Sequence, residues 1–587
     1  MFQLFGYLNR RQWGLIGVAF VFIITQIWLD LRLPDFMADI TELIETEGST
    51  VSEIMIKGGY MLLCAFGSMI SSIIVGYCAA RVAAGLSKTL RDKVYDKTIA
   101  FSMSEIGHFS IASLINRTTN DVMQIQHLVA MGLQAIVKAP LMAVWAIIKI
   151  YNKSWQWTSA TAVAVFVLIL LLAAVIIFAH PRFIRIQGLT DNINRVTREL
   201  LSGIRVVRAY NAESFEEKKF AQANDELTNN NLTAHRVMSL MGPGTTLIHS
   251  GLTLAVYWIG AYMILAAEMP DRLGIFSDMV VFSNYAMQVI LSFMMLNMIF
   301  MILPRSQVSA NRICEVLNMP VRIQDGKGAE IQDASKGSIE FRNVSFRYPD
   351  AGENTLSEIS FKVNPGETVA FIGATGSGKT SLINLIPRFY DATEGEVIVD
   401  GRDVRDFTQS DLHDRIGYVP QKAVLFAGTV SSNVNFGTGN DKDVTEEDIR
   451  TAIEIAQCKD FVEQMDGQYE APIAQGGTNV SGGQKQRLSI ARAIVRKPEI
   501  LIFDDSFSAL DYRTDRALRA ALERTSSGST KLIVAQRIGT IRHADRIIVL
   551  DHGKIVGNGK HEELLKTCAA YYEIAASQLS PKELENG

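Results

Sequence analysis

The sequence predicts a two-part chain. An all-α membrane half with six spanning helices and cytoplasmic helical stalks is followed by an α/β half organised around one glycine-rich loop. Three observations carry this expectation. Apolar segments of the length that spans a bilayer, roughly 20 residues, occur six times before Pro304 and do not recur after it. The mean hydropathy of the 587 residues is +0.15, above the value of an ordinary water-soluble chain of this size. From Gly337 onward the pattern changes to short β-rich runs separated by turns. The expected organisation is therefore a membrane domain over 1–317, a polar, glycine-containing linker over 318–336, and a second domain over 337–587. Charge narrows the function classes. With 57 Lys plus Arg against 61 Asp plus Glu, the net charge of −4 excludes a broadly basic nucleic-acid-binding surface and a disordered acidic chain. Five scattered cysteines form no CxxC or metal-ligand cluster, so no disulfide framework is expected.

The apolar segments are Trp13–Leu33, Ile56–Ala80, Leu128–Ile150, Trp157–Ala179, Pro243–Ala267 and Met279–Leu303. The first follows Arg10 and Arg11, like a leader peptide, but it is too long and no small-residue cleavage site follows it, so it is read as a retained helix. Orientation follows from the connections. The stretch Pro34–Ile56 carries only acidic charge, whereas those after spans two and four hold Arg81, Lys88, Arg91, Arg182, Arg185 and Arg195 among others. Positive residues stay inside, so both termini and the two long basic connections face the cytoplasm. Those connections are poor in Gly and Pro and keep helical apolar spacing, as in Ile193, Val196, Leu200 and Ile204. They read as helical continuations of the spans, projecting roughly 40 Å at 1.5 Å per residue.

In the second half, Ser338–Tyr348 alternates apolar and polar residues as an antiparallel strand does. The buried strand Glu367–Ile372 then runs into Gly373-Ala374-Thr375-Gly376-Ser377-Gly378-Lys379-Thr380, which opens a helix. This is GxxxxGK[ST] in its strand–loop–helix setting: glycines let backbone N–H groups approach phosphates, Lys379 neutralises the β- and γ-phosphates of ATP, and the Thr380 hydroxyl ligates Mg²⁺. Further on, the apolar strand Glu499–Phe503 ends in Asp504 and Asp505, with Asp504 positioned for the Mg²⁺ shell. Between the two motifs lies Ser481-Gly482-Gly483-Gln484, opening a helix.

Taken together and in this order, these elements resemble the nucleotide-binding domain of ATP-binding-cassette transporters. The resemblance implies a P-loop α/β domain with an antiparallel β subdomain and a helical subdomain. It implies that Tyr348 stacks on adenine, that Gln421 in Val419-Pro420-Gln421 senses Mg²⁺ and the transport domain, that Ser481–Gln484 is the signature, and that Asp511 ends the D-loop Ser508–Asp511. Six spans fused ahead of the cassette look like an exporter half-transporter: a multi-pass protein of the bacterial cytoplasmic (inner) membrane with its cassette in the cytoplasm. By the same resemblance, Ser110–Asp121 and Gly203–Glu213 occupy the positions of coupling helices.

Three positions depart from the family pattern. The residue after the Walker B aspartate is usually Glu, which polarises the attacking water; here it is Asp505, one methylene shorter. The usual switch histidine is replaced by Gln536, which donates a hydrogen bond but does not titrate. Ala474–Gly477 lacks the usual Glu-Arg pair. Two changes at one catalytic corner imply a degenerate site that binds ATP and hydrolyses it slowly. Cassettes of this family pair head to tail, so the intact signature implies a different half-transporter subunit as partner, as in heterodimeric multidrug exporters.

For the substrate, span six is rich in Met279, Met287, Met294, Met295, Met298 and Met301, with Phe282, Tyr285, Phe293 and Phe300. Flexible thioethers and aromatics suit small amphipathic or hydrophobic compounds. Asp30 is charged at membrane depth and so a candidate functional group, with pairing to Arg32 as the plain alternative. The competing functional readings are a lipid flippase or lipopeptide exporter and an ATP-gated channel or regulatory subunit.

Overall fold

A computed structural model describes residues 2–45, 49–151, 154–328, 336–437, 444–526, 528–580 and 584. The expected linker overlaps 329–335, which lie outside the described residues. The chain packs as two units: 1–98 with 112–318, and 99–111 with 319–587.

In the first unit, six helices are long and apolar enough to cross a membrane. The first is Arg10–Glu45, and the second, Val51–Ile99, runs unbroken well past the apolar segment that ends at Ala80. Ile111–Asn116 passes through the π-turn Arg117–Asp121 into Val122–Tyr151, so the stretch expected to be a coupling helix is the root of the third span. The separate short helix lies earlier, at Met103–Phe109. A capping box of Ser102 and Glu105 starts it, and Ser110, at φ 57°, ends it. Trp155–Ser202 is the fourth, Glu213–Ser239 leads into Met241–Ala266 as the fifth, and Arg272–Asn318 is the sixth. Helix rather than loop thus occupies most of the basic connections; the second holds its own short helix, Ile204–Ala209, between Gly203 and a turn in which Asn211 sits at φ 50°.

Small residues let these helices approach closely. Ala139 and Ala146 have no exposed surface, and a methyl at Gly260 would meet the Met279 sulfur at 2.5 Å. Trp157, buried at the same place, donates its indole N–H to the Val256 carbonyl at 3.1 Å. Of the methionine-rich face of span six, Met279, Phe282 and Tyr285 belong to this core, while Met294 and Met295 are exposed. The side chains of Met298, Phe300 and Met301 lie outside the described residues. Asp30 pairs with Lys138 at 3.2 Å and accepts from Ser68, and not with Arg32. Asp35 takes Lys149 at 2.7 Å and the Tyr285 hydroxyl at 2.5 Å.

The second unit contains strands β1 (Ile339–Phe346), β2 (Leu356–Val363), β3 (Thr368–Ile372), β4 (Glu394–Val399), β5 (Arg402–Asp403), β6 (Ile416–Val419), β7 (Gly428–Thr429), β8 (Pro472–Ile473), β9 (Ile500–Asp504), β10 (Thr530–Val534), β11 (Arg546–Asp551) and β12 (Lys554–Gly559). An antiparallel sheet runs β2-β1-β4-β5, and a six-stranded sheet runs β12-β11-β3-β10-β9-β6, parallel except at β12. The parallel strands read as continuous apolar runs because both of their faces are covered. Val369 and Phe371 face the core shared with the antiparallel sheet, and Ala370 and Ile372 face the helical side. Val534 sits beside Asp504 on one flank and beside Phe371 on the other. The residues that follow β3, β6, β9 and β10 therefore emerge on one edge, where α/β sheets bind ligands.

The opposite edge is fastened by a charged cluster. Asp400, with a fully buried side chain, accepts from the Gly337 amide at 2.6 Å and from Arg415 at 3.3 Å, and Arg415 also holds Glu499 at 3.0 Å. Burial, reinforced by Glu499, pushes the Asp400 carboxyl from 3.8 up to about 6. Because the folded state holds this proton more tightly, the stabilisation is complete below the unfolded value and is lost as pH rises through about 6. Asp400→Asn should remove that slope, raising stability relative to the parent by on the order of 1–3 kcal/mol between pH 4.5 and 7.5. Thermal unfolding of the full chain in detergent across that range measures it; parallel pH curves for parent and variant would refute it.

Candidate functional site

The glycine-rich loop leaves β3 with almost no room for side chains. A methyl on Gly373 would sit 2.0 Å from the Leu550 carbonyl oxygen. Gly378, at φ 96°, turns the chain into helix Lys379–Asn384, and a methyl there would strike Leu356 at 2.7 Å. A methyl on Gly376 would meet nothing within 4 Å, so the middle of the loop is open. Lys379 is 8% exposed and donates to the carbonyls of Gly373 at 2.8 Å and Ala374 at 2.7 Å, and to Ser377 Oγ at 3.3 Å. Burial draws its pKa below the usual lysine value, opposed by the charges of Asp505 and Asp504. An ammonium held only by neutral oxygens gains when a phosphate arrives.

Thr380 Oγ1 donates to Asp504 Oδ1 at 3.0 Å, which joins the loop to the end of β9. The Asp504 carboxyl is raised by burial, against the pull of Thr380. A hydroxyl, a carboxylate and the nearby Gln421 amide form an all-oxygen donor set, which suits Mg²⁺ completed by phosphate oxygens and water. Asp505 sits in the left-handed region at φ 45°, with its amide on the Val534 carbonyl at 3.0 Å and its carbonyl accepting from Ser508 at 2.8 Å. One of its oxygens, Oδ2, accepts from Gln536 Nε2 at 3.0 Å and from Gln421 Nε2 at 3.4 Å. Burial raises this carboxyl too, and the Gln421 bond opposes the shift. Tyr348 is half-buried, edge-on to Tyr390 with ring centres 5.2 Å apart, and its hydroxyl lies 2.9 Å from Ser381 Oγ on the loop's own helix.

The structure thus brings together the loop 373–380, Asp504, Asp505, Gln421, Gln536 and Tyr348. It does not bring the remaining expected residues to them. Ser481 caps helix Gly482–Val495, bonding reciprocally with Gln484, and remains exposed beside Gly482 and Gly483. Asp511 caps Tyr512–Thr525 through the Thr514 amide at 3.0 Å. Among the described residues, no hydrogen bond joins either motif to the loop. Sequence reasoning missed Ser381, which anchors Tyr348, because a serine inside an apolar helix start carries no distinguishing pattern.

Comparison with known proteins decides the family. Residues 16–302 match the ABC transporter transmembrane region, and residues 356–508 match the ABC transporter domain. The chain belongs to the ABC transporters. An ABC transporter ATP-binding protein of Mycobacterium tuberculosis is 40% identical over 555 residues, covering 93% of each chain. An ATP-dependent lipid A-core flippase of Hahella chejuensis is 30% identical, covering 98% of this chain and 97% of its own. The fold matches that of a bacterial Atm1-family ABC exporter with ATP bound at a TM-score of 0.81 and 23% identity, covering 97% and 99% of the two chains. This ABC exporter half-transporter is therefore a multi-pass membrane protein whose cytoplasmic ATP-binding domain couples hydrolysis to transport.

Lys379→Ala should remove the buried cation and leave the fold intact, since its three bonds are all to its own loop. Losing charge-assisted bonds of about 1.5–3 kcal/mol corresponds to roughly 10- to 100-fold weaker ATP binding. Photolabelling of this chain with an azido-ATP measures it; undiminished labelling would reject the role given to Lys379.

Proposed function

We propose that this chain is the degenerate-site subunit of a heterodimeric exporter in a bacterial cytoplasmic membrane. The observation that carries the reading is the state of Asp505. Its carboxylate is one methylene shorter than glutamate, and the oxygen nearest the switch position is shared by two glutamine amides, Gln536 and Gln421. With Oδ2 occupied by both amides, that oxygen is not free to accept from water, and a setback of roughly 1 Å at a reacting group can cost about a hundredfold in rate. Gln536 cannot exchange a proton with the nucleophile. The P-loop, by contrast, retains every group needed to hold ATP.

In this reading, residues 337–587 bind nucleotide and residues 1–317 form the transport pathway. Gly373, Ala374, Thr375, Gly376, Ser377 and Gly378 wrap the phosphates with backbone amides. Lys379 holds the β- and γ-oxygens, and Tyr348 supports the adenine. Thr380, Asp504 and Gln421 hold Mg²⁺, which when bound offsets phosphate charge. Ser481, Gly482, Gly483 and Gln484, with Asp511, face outward to complete the site of a different half-transporter subunit, where turnover is fast. The cargo is a small amphipathic or hydrophobic compound, in keeping with the exposed Met294 and Met295 of span six. A lipid is the second reading, supported by the 30% identity to an enzyme named as a lipid A-core flippase.

Steady-state ATPase of the assembled transporter tests the asymmetry. Ser481→Arg should abolish most turnover, because it obstructs the partner's site. Asp505→Asn should reduce turnover far less, because chemistry at its site is already slow. Equal losses would mean two equivalent sites, and robust hydrolysis by this chain purified alone would exclude the heterodimer. Vesicle uptake of an amphipathic dye against a labelled phospholipid separates the two cargo readings.

A further inference from the structure

The helix Ala569–Ala576 packs on β11 and buries Tyr571 and Ala575 completely. Beyond it the chain turns once more, with the Gln578 amide on the Ala575 carbonyl at 3.0 Å. The Gln578 side chain then reaches the loop that follows β10. Its Nε2 donates to the Gln536 carbonyl oxygen at 2.8 Å, and its Oε1 accepts from the Ile538 amide at 2.9 Å. One amide therefore grips the backbone on both sides of Arg537. That loop needs an external hold: Gln536 and Arg537 are exposed, and upstream of them the backbone is tied by Ala535 to the Phe371 carbonyl at 3.2 Å. From this held backbone, Gln536 sends its own amide to Asp505 Oδ2 at 3.0 Å.

We propose that Gln578 is a positioning residue for the nucleotide site. It fixes the loop so that the Gln536 side chain is presented to Asp505 and to the terminal phosphate, and it ties helix Ala569–Ala576 to that site. The inference rests on the reading that the P-loop binds ATP beside Asp505 and Gln536. One donor and one acceptor on a single planar amide set both the height and the rotation of the loop, which a single bond does not. Gln578→Ala loses both bonds. Gln578→Glu keeps an acceptor for Ile538 but sets a carboxylate oxygen against the Gln536 carbonyl, so the helix stays docked while the Gln536 side of the grip opens.

The test uses the full-length chain in its assembled transporter, loaded with an azido-ATP and chased with unlabelled ATP, with the label retained on this chain followed over time. Loss of one or two neutral hydrogen bonds predicts label release about three- to tenfold faster in both Gln578→Ala and Gln578→Glu. Gln536→Ala should release equally fast, and the double variant Gln536→Ala with Gln578→Ala no faster than Gln536→Ala alone, because the second residue acts through the first. Unchanged release in Gln578→Ala, with or without a lower melting temperature, would leave a purely structural bond and overturn the proposal. Additive effects in the double variant, or parental release in Gln578→Glu, would overturn it too. If label on this chain is insensitive to Lys379→Ala, the fault lies one step earlier, in the ATP-site reading itself.

Discussion

Strands β3, β9 and β10 pair in parallel with Val534 between Asp504 and Phe371, and this register decides where every polar group of the site can be. A shift of one residue in β9 would exchange Ile500 and Ile502, packed on one face, with Leu501 and Phe503, packed on the other, and carry Asp504 away from Thr380. The alternation of Val369 and Phe371 against Ala370 and Ile372 makes such a slip costly, because both faces of the sheet are buried. The charged cluster of Asp400, Arg415 and Glu499 fastens β6 and β9 at their starts, leaving their ends free of structural duty. Stability is thus concentrated at one edge of the sheet and chemistry at the other.

The membrane unit solves a different problem with the same economy. Charges within apolar helices are tolerated when paired, and breaking such a pair is far more costly than never having built it. Asp30 with Lys138 and Asp35 with Lys149 join spans one and three, while Tyr285 brings span six to the same aspartate. The tyrosine ring adds dispersion and the hydroxyl adds direction, so the contact fixes rotation as well as distance. Ser68 of the second span joins through Asp30. Helix packing by small residues alone would leave these rotations less defined.

Much of this was legible beforehand. The six spans follow from segment length, and the strand–loop–helix setting of Gly373–Thr380 follows from punctuation by glycine. The paired aspartates at the end of a buried strand were equally plain. What sequence reasoning misassigned were contacts between segments distant in the chain. Asp30 has Arg32 two positions away, yet it pairs with Lys138, since residues two apart on a helix point to different faces. The break at Ser110 escaped notice because a positive φ at serine has no pattern around it. Gln578 was invisible for a related reason: a glutamine at the end of an alanine-rich helix usually faces water, and only the fold brings Ile538 within its reach.

The capping box at Ser481 carries a consequence for which residues that position can accept. The hydroxyl accepts from the Gln484 amide, so any good cap would satisfy the helix: Ser, Thr, Asp and Asn all qualify. The role proposed for Ser481 at a partner's polyphosphate sets a second requirement, and there a carboxylate would repel and a longer amide would crowd. The overlap of the two demands is a small, neutral hydroxyl. Threonine is then the one exchange that should be nearly silent, and tolerance at Ser481 should look narrow even though each demand alone is permissive.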